Sequence, residues 1–134
     1  MALPFVEWCG WLNLQKEADR ARFAAILSRA GAHILLSRAD LTPLAILEAA
    51  VYAKATLATS VGGIPEMICN DETGWLVSAE ATPAMIGERI AKLFLETGKL
   101  AQAGAAARSF CAKHWSWEGV TEMALMQSTT WSCS

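Results

Sequence analysis

The feature that most constrains this chain is a rhythm: short apolar runs of strand length alternate with charged, helically periodic segments of ten residues or more. Phe5-Val6-Glu7-Trp8-Cys9-Gly10-Trp11-Leu12 is strand-like, with aromatic residues and a glycine near its end. Lys16 to Arg29 then places Ala18, Ala21, Phe23 (or Ala24), Ala25, Ile26 and Leu27 near helical spacing with charges between them, and Gly31 offers a stop. His33 to Ser37 is continuously apolar at its centre, as a strand covered on both faces must be. A helix is predicted over Leu44 to Ala53 with Pro43 at its entry, then a strand at Thr56 to Thr59. A turn at Ser60 to Glu66 opens a brief helix ending near Ile68. Trp75 to Val77 reads as the last strand, and Thr82-Pro83 as the start of a helix running to Glu96. Helices near Lys99 to Lys113 and Trp117 to Met126 complete the series. Strands that alternate with helices form parallel sheets through right-handed crossovers. The expected fold is therefore α/β: a Rossmann-like parallel sheet of about four strands flanked by helices, in a single domain spanning residues 1–134.

In open sheets of this kind ligands bind beyond the carboxyl ends of the strands. That rule points to the loops after Leu12, Leu36 and Thr59. The loop after Leu36 holds Arg38, Asp40 and Thr42, and Glu48 follows one turn into the next helix. A helix amino end leaves backbone N–H groups unpaired and carries a partial positive charge, so the amides of Leu44 and Ala45 suit a diphosphate. Pro43 has no N–H and can only shape the turn. Glu48 could accept hydrogen bonds from a ribose diol, and Asp40 from sugar hydroxyls. Taken singly, each of these residues also fits a plain structural role, Thr42-Pro43 as a helix cap and Asp40 as a turn former.

Composition removes several other classes. Apolar residues make up 54% of the 134 residues and the formal net charge is −2, which gives no basic face for nucleic acid. The cysteines, Cys9, Cys69, Cys111 and Cys133, form no CxxC pair, so no zinc site is expected. They show no disulfide-like pattern and no secretory signal precedes them, so a reducing cytoplasm is the default. No apolar run approaches the ~20 residues that cross a bilayer. No G-x-G-x-x-G follows a strand, which weakens a generic dinucleotide-binding reading.

Three stretches occur in order: Ser37-Arg38-Ala39-Asp40 through Glu48-Ala49, Ala58-Thr59-Ser60-Val61-Gly62-Gly63-Ile64-Pro65-Glu66, and Asp71-Glu72-Thr73-Gly74-Trp75-Leu76-Val77. Together they resemble the second, carboxy-terminal Rossmann-like domain of family-4 retaining glycosyltransferases of GT-B architecture, also called glycosyl transferases group 1. Their hallmark is a pair of carboxylates eight positions apart, a Val-Gly-Gly-hydrophobic-Pro-Glu turn and an Asp-Gly-x-x-Gly stretch. The resemblance implies transfer of a sugar from a nucleotide diphosphate sugar, without a metal or other cofactor. It places Asp40 as the catalytic-face acid near the transferred sugar, Glu48 on the ribose, and the amides of Leu44 and Ala45 on the diphosphate. Thr42 and Arg38 would border the donor, and Trp11 would lie beside the base.

Departures from the pattern accompany the likeness. The first acid is usually Glu and here is Asp40; Thr42-Pro43 replaces an aromatic-Gly pair; Ala53 and Ala55 replace a Gly and a Pro. The family's amino-terminal acceptor domain is missing, as are the Arg and Lys it keeps for the diphosphate. The resemblance thus implies a donor-binding part, expected to be inactive alone, or else a non-catalytic nucleotide-sugar-binding or interaction module derived from such an enzyme. A truncated parallel sheet exposes an edge, from which self-association is expected.

Overall fold

The computed structural model describes residues 5–126. A parallel sheet of three strands, β1 (His33–Leu35), β2 (Thr56–Thr59) and β3 (Gly74–Val77), runs in the order β1-β2-β3. The helices are α1 (Glu17–Arg29), α2 (Leu44–Val51), α3 (Ile64–Met67), α4 (Pro83–Leu95), α5 (Lys99–His114) and α6 (Trp117–Met126). Leu35 pairs with Ala58, and Thr59 pairs with Val77 at the carboxyl end.

β2 and β3 alternate their side chains between two apolar layers, because successive residues point to opposite faces. Ala58 packs with Ile46 of α2 and with Ile64, Met67 and Ile68, flanked by Leu35 and Leu76. Its neighbour Leu57 faces the other way, with Trp75, Leu93 of α4 and Ala103 of α5, flanked by Val77, Ile86 and Ile90. This two-sided burial holds for β2 and β3. β1, expected to be covered on both faces, lies at the edge of the sheet and leaves Ile34 43% and Leu36 44% exposed, only its Leu35 side meeting an apolar layer. Thr82 caps α4 by accepting from the Met85 N–H at 3.3 Å, with Pro83 in the first turn, as the Thr-Pro pair predicts.

The expected strand at Phe5–Leu12 does not form, so the sheet has three strands rather than about four. A strand is stabilised by its ladder and a covered face, and this segment has neither. Phe5, Val6, Trp8 and Trp11 are all exposed, and β1 pairs only with β2. Two further corrections are smaller. α2 stops at Val51 rather than Ala53, with Pro43 as its N-cap. Cys69 is buried, as a small hydrophobe would be, but is disulfide-bonded, which removes the support the cysteine pattern lent to a reducing compartment. No helix among the described residues is long and apolar enough to cross a membrane.

The histidines, Trp115 and Ser116 take structural positions, whereas Trp117 is exposed. His33 Nδ1 lies 3.1 Å from the Thr56 hydroxyl, and burial pushes the His33 pKa below its ordinary value. His114 stacks on Phe110. Trp115 packs against the α2 layer, while the Ser116 hydroxyl accepts from the Gly119 N–H at 3.1 Å and so caps α6.

Candidate donor site at the carboxyl end of the sheet

β1 ends at Leu35 and the chain crosses to α2 through residues 36–43, so the loop and the amino end of α2 both lie at the carboxyl end of the sheet. Arg38, Asp40 and Thr42 lie in this loop, and Leu44, Ala45 and Glu48 in the α2 helix that follows it. Pro43 is buried and anchors the turn, while Arg38, Thr42, Leu44 and Glu48 are exposed and Asp40 and Ala45 are half-buried. The tip of α2 is therefore open rather than sealed.

The first turn of α2 carries no side-chain cap, in contrast to α4. The Pro43 carbonyl accepts from the Ile46 N–H at 3.1 Å. The amides of Leu44 and Ala45 precede any carbonyl four residues back within the helix, which leaves them as donors for something outside it. Glu48 stands four positions after Leu44, on the same helical face. Among the described residues, no hydrogen bond or ion pair engages the side chains of Arg38, Asp40 or Glu48. Two carboxylates and one guanidinium thus share this stretch of chain with two backbone donors. No three His, Cys, Asp or Glu side chains among the described residues are grouped to hold a metal.

The glycine turn after β2 lies directly against this loop. Gly62 has φ +53°, and a Cβ there would stand 1.9 Å from the Asp40 carbonyl oxygen; one on Gly63 would stand 2.0 Å from that of Leu41. The Gly63 N–H donates to the Asp40 carbonyl at 3.3 Å. Two glycines in a row are needed here because two carbonyls occupy the space where side chains would begin. The acidic loop is thus what the two glycines make room for. Thr59, whose hydroxyl donates to the Ser37 carbonyl at 2.5 Å, was missed altogether. Its only sequence signal is a polar residue at the carboxyl end of a short buried strand, a signal it shares with Thr56 at the other end.

Trp11 stands apart. Its side chain is 93% exposed, in a segment without strand structure, so no strand end holds it toward a nucleotide base.

A three-layer parallel α/β domain with an open helix tip at the carboxyl end of its sheet is the Rossmann-like arrangement of GT-B carboxy-terminal domains. The glycosyl transferases group 1 family model matches residues 12–110, and the chain belongs to that family. Among curated relatives, the alpha-maltose-1-phosphate synthase of Mycolicibacterium smegmatis is 34% identical over 84 residues, covering 59% of this chain and 22% of the relative. Its Mycobacterium tuberculosis counterpart is 31% identical over 117 residues, covering 84% of this chain and 30% of the relative. The chain thus spans less than a third of the relatives it matches. Solved structures of similar fold include the C-terminal domain of a group 1 glycosyl transferase from Francisella tularensis, with TM-score 0.55 and 23% identity over 63% of this chain and 44% of that one. Anabaena HepE in complex with UDP matches with TM-score 0.63 and 14% identity, over 75% of this chain and 28% of that one. Sucrose-phosphate synthase from Thermosynechococcus elongatus matches with TM-score 0.62 and 17% identity, over 87% and 36%.

Proposed function

We propose that this chain is the donor-binding part of a retaining glycosyltransferase, which takes a nucleotide diphosphate sugar and delivers the sugar to an acceptor held by another part of the enzyme. One observation carries the reading: α2 opens uncapped at the carboxyl end of the sheet, with Asp40 and Glu48 unengaged beside it. The diphosphate sits at the amides of Leu44 and Ala45, where the helix dipole favours negative charge. Arg38 is the cation in this segment placed to meet the charge that grows on the leaving diphosphate, a stabilisation that is usually a large catalytic contribution. Glu48 accepts from the ribose hydroxyls and Asp40 from the sugar, while Thr42 borders the diphosphate. Trp11, expected from the resemblance beside the base, has no support from its exposed position.

That Anabaena HepE, of the same fold, is a complex with UDP makes UDP the first probe to use. Calorimetric titration of UDP, GDP and their glucose conjugates into the wild-type chain and Glu48→Ala tests the reading. Removing a hydrogen-bond partner that carries charge costs about 1.5–3 kcal/mol, or about ten- to a hundredfold in affinity. Weaker binding to Glu48→Ala with an unchanged melting temperature supports the site; equal affinity for the two proteins refutes Glu48's role. Transfer activity in any assembly containing this chain separates the enzyme from a module that binds donor without transferring it.

A further inference from the structure

We infer that Thr59 is a positioning residue for the acidic loop, its hydroxyl fixing where Asp40 stands relative to the tip of α2. This rests on the donor-site reading above. The last ladder pair between β1 and β2 is Leu35 with Ala58, so β1 diverges one step before Thr59 and the Ser37 carbonyl loses its strand partner. Thr59 is only 6% exposed, and its hydroxyl donates to that carbonyl at 2.5 Å. A buried hydroxyl needs a partner, and here it supplies the bond the ladder no longer makes. Three residues after Ser37, the Asp40 carbonyl accepts from the Gly63 N–H, and the glycine turn fits against Asp40 and Leu41 without side chains between. The Ser60 N–H donates in turn to the Val77 carbonyl at 2.8 Å, so the support for the loop is itself tied to β3.

The loop is thus gripped at Ser37 and at Asp40, and among the described residues Thr59 is the side chain that hydrogen-bonds to it. Asp40 faces the sugar in the proposed complex while the α2 amides hold the diphosphate. Loosening the Ser37 end therefore weakens recognition of the sugar more than that of the nucleotide. A loss of general packing weakens both alike.

The test compares Thr59→Val, which keeps the shape and removes the donor, with Thr59→Ser, which keeps the donor. Thr59→Cys replaces the valine variant if that protein does not fold. UDP and UDP-glucose are titrated into each protein, and amide hydrogen exchange is followed across residues 38–42. Losing one neutral hydrogen bond corresponds to about three- to tenfold in an equilibrium. We expect Thr59→Val to lose that factor for UDP-glucose, to bind UDP within about twofold of wild type, and to exchange faster over residues 38–42; Thr59→Ser restores all three. Unchanged loop exchange in Thr59→Val, an equal loss for both probes, or no restoration by serine overturns the inference. Wild-type protein that binds neither probe overturns the donor reading instead, and the exchange data then decide the positioning by themselves.

Discussion

Replacing Ala53 with glycine should stabilise the protein, although it removes a methyl group and adds no contact. α2 ends with Tyr52 as its C-cap and Ala53 at φ +54°. The Lys54 N–H donates to the Ala49 carbonyl at 2.9 Å and the Ala53 N–H to that of Ala50 at 2.8 Å. This six-to-one and five-to-two pair is the Schellman arrangement, which places a left-handed residue just after the cap and favours glycine there. The left-handed conformation costs an L-residue about 1–2 kcal/mol, through the crowding of Cβ against the following carbonyl oxygen. Glycine recovers that cost but loses about 0.5–1 kcal/mol more conformational freedom on folding. The net gain is roughly 0.5–1 kcal/mol, which for a domain of this size raises the melting temperature by about 2–4 °C. Urea denaturation followed by the fluorescence of buried Trp75 should show a higher midpoint and an unchanged slope. Ala50→Gly, three residues earlier inside the helix, should lower stability instead. If Ala53→Gly is neutral or destabilising while Ala50→Gly behaves as stated, Ala53 does not occupy the left-handed well and the helix end is described wrongly.

Other expectations follow from the same contacts. Gly62→Ala places a methyl group against the Asp40 carbonyl at a positive φ, so it should cost about 2 kcal/mol or more in thermal denaturation and weaken UDP-glucose binding with it; wild-type stability would refute the close packing. Arg89 and Asp71 form an exposed ion pair at 3.0 Å, and Arg89→Ala should cost under about 1 kcal/mol, less at high salt. A larger, salt-insensitive loss would contradict that. Burial holds the His33 pKa below the ordinary 6.5, so the folded state binds the proton less readily than the unfolded chain. That contribution is full above pH 6.5 and is lost as the pH falls from there toward the folded-state pKa. His114 is shifted the same way, by burial first and by Lys113. Stability should fall on acidification below neutrality, and His33→Gln should flatten the slope; an unchanged slope in denaturation series from pH 7.5 to about 5 would refute the assignment.

Much of the fold was legible because its signals are local. The Thr82-Pro83 cap, the apolar runs of β1, β2 and β3, and the helical spacing of α4 and α5 each sit within one window of sequence. The segment at Phe5–Leu12 misled because aromatic alternation reports a capacity for strand structure, whereas the strand itself needs a neighbour that this chain does not place there. At the candidate site, the eight-residue interval between Asp40 and Glu48 and the amino end of α2 were visible in order and spacing. What could not be read was how the loops meet: the Gly62-Gly63 turn under Asp40 and the Thr59 hydroxyl on Ser37 join residues more than twenty apart. Ala53 lies between these cases. Its departure from glycine was visible in the sequence, and its positive φ needed coordinates.

The donor site is tested most directly by titrating UDP into isotopically labelled protein and following backbone amide resonances. Binding at the tip of α2 requires the largest shifts at the Leu44 and Ala45 amides, with smaller ones at Asp40 and Glu48. Saturating UDP that leaves those four residues unmoved, or moves a different face of the domain, would contradict a donor site at the end of this helix.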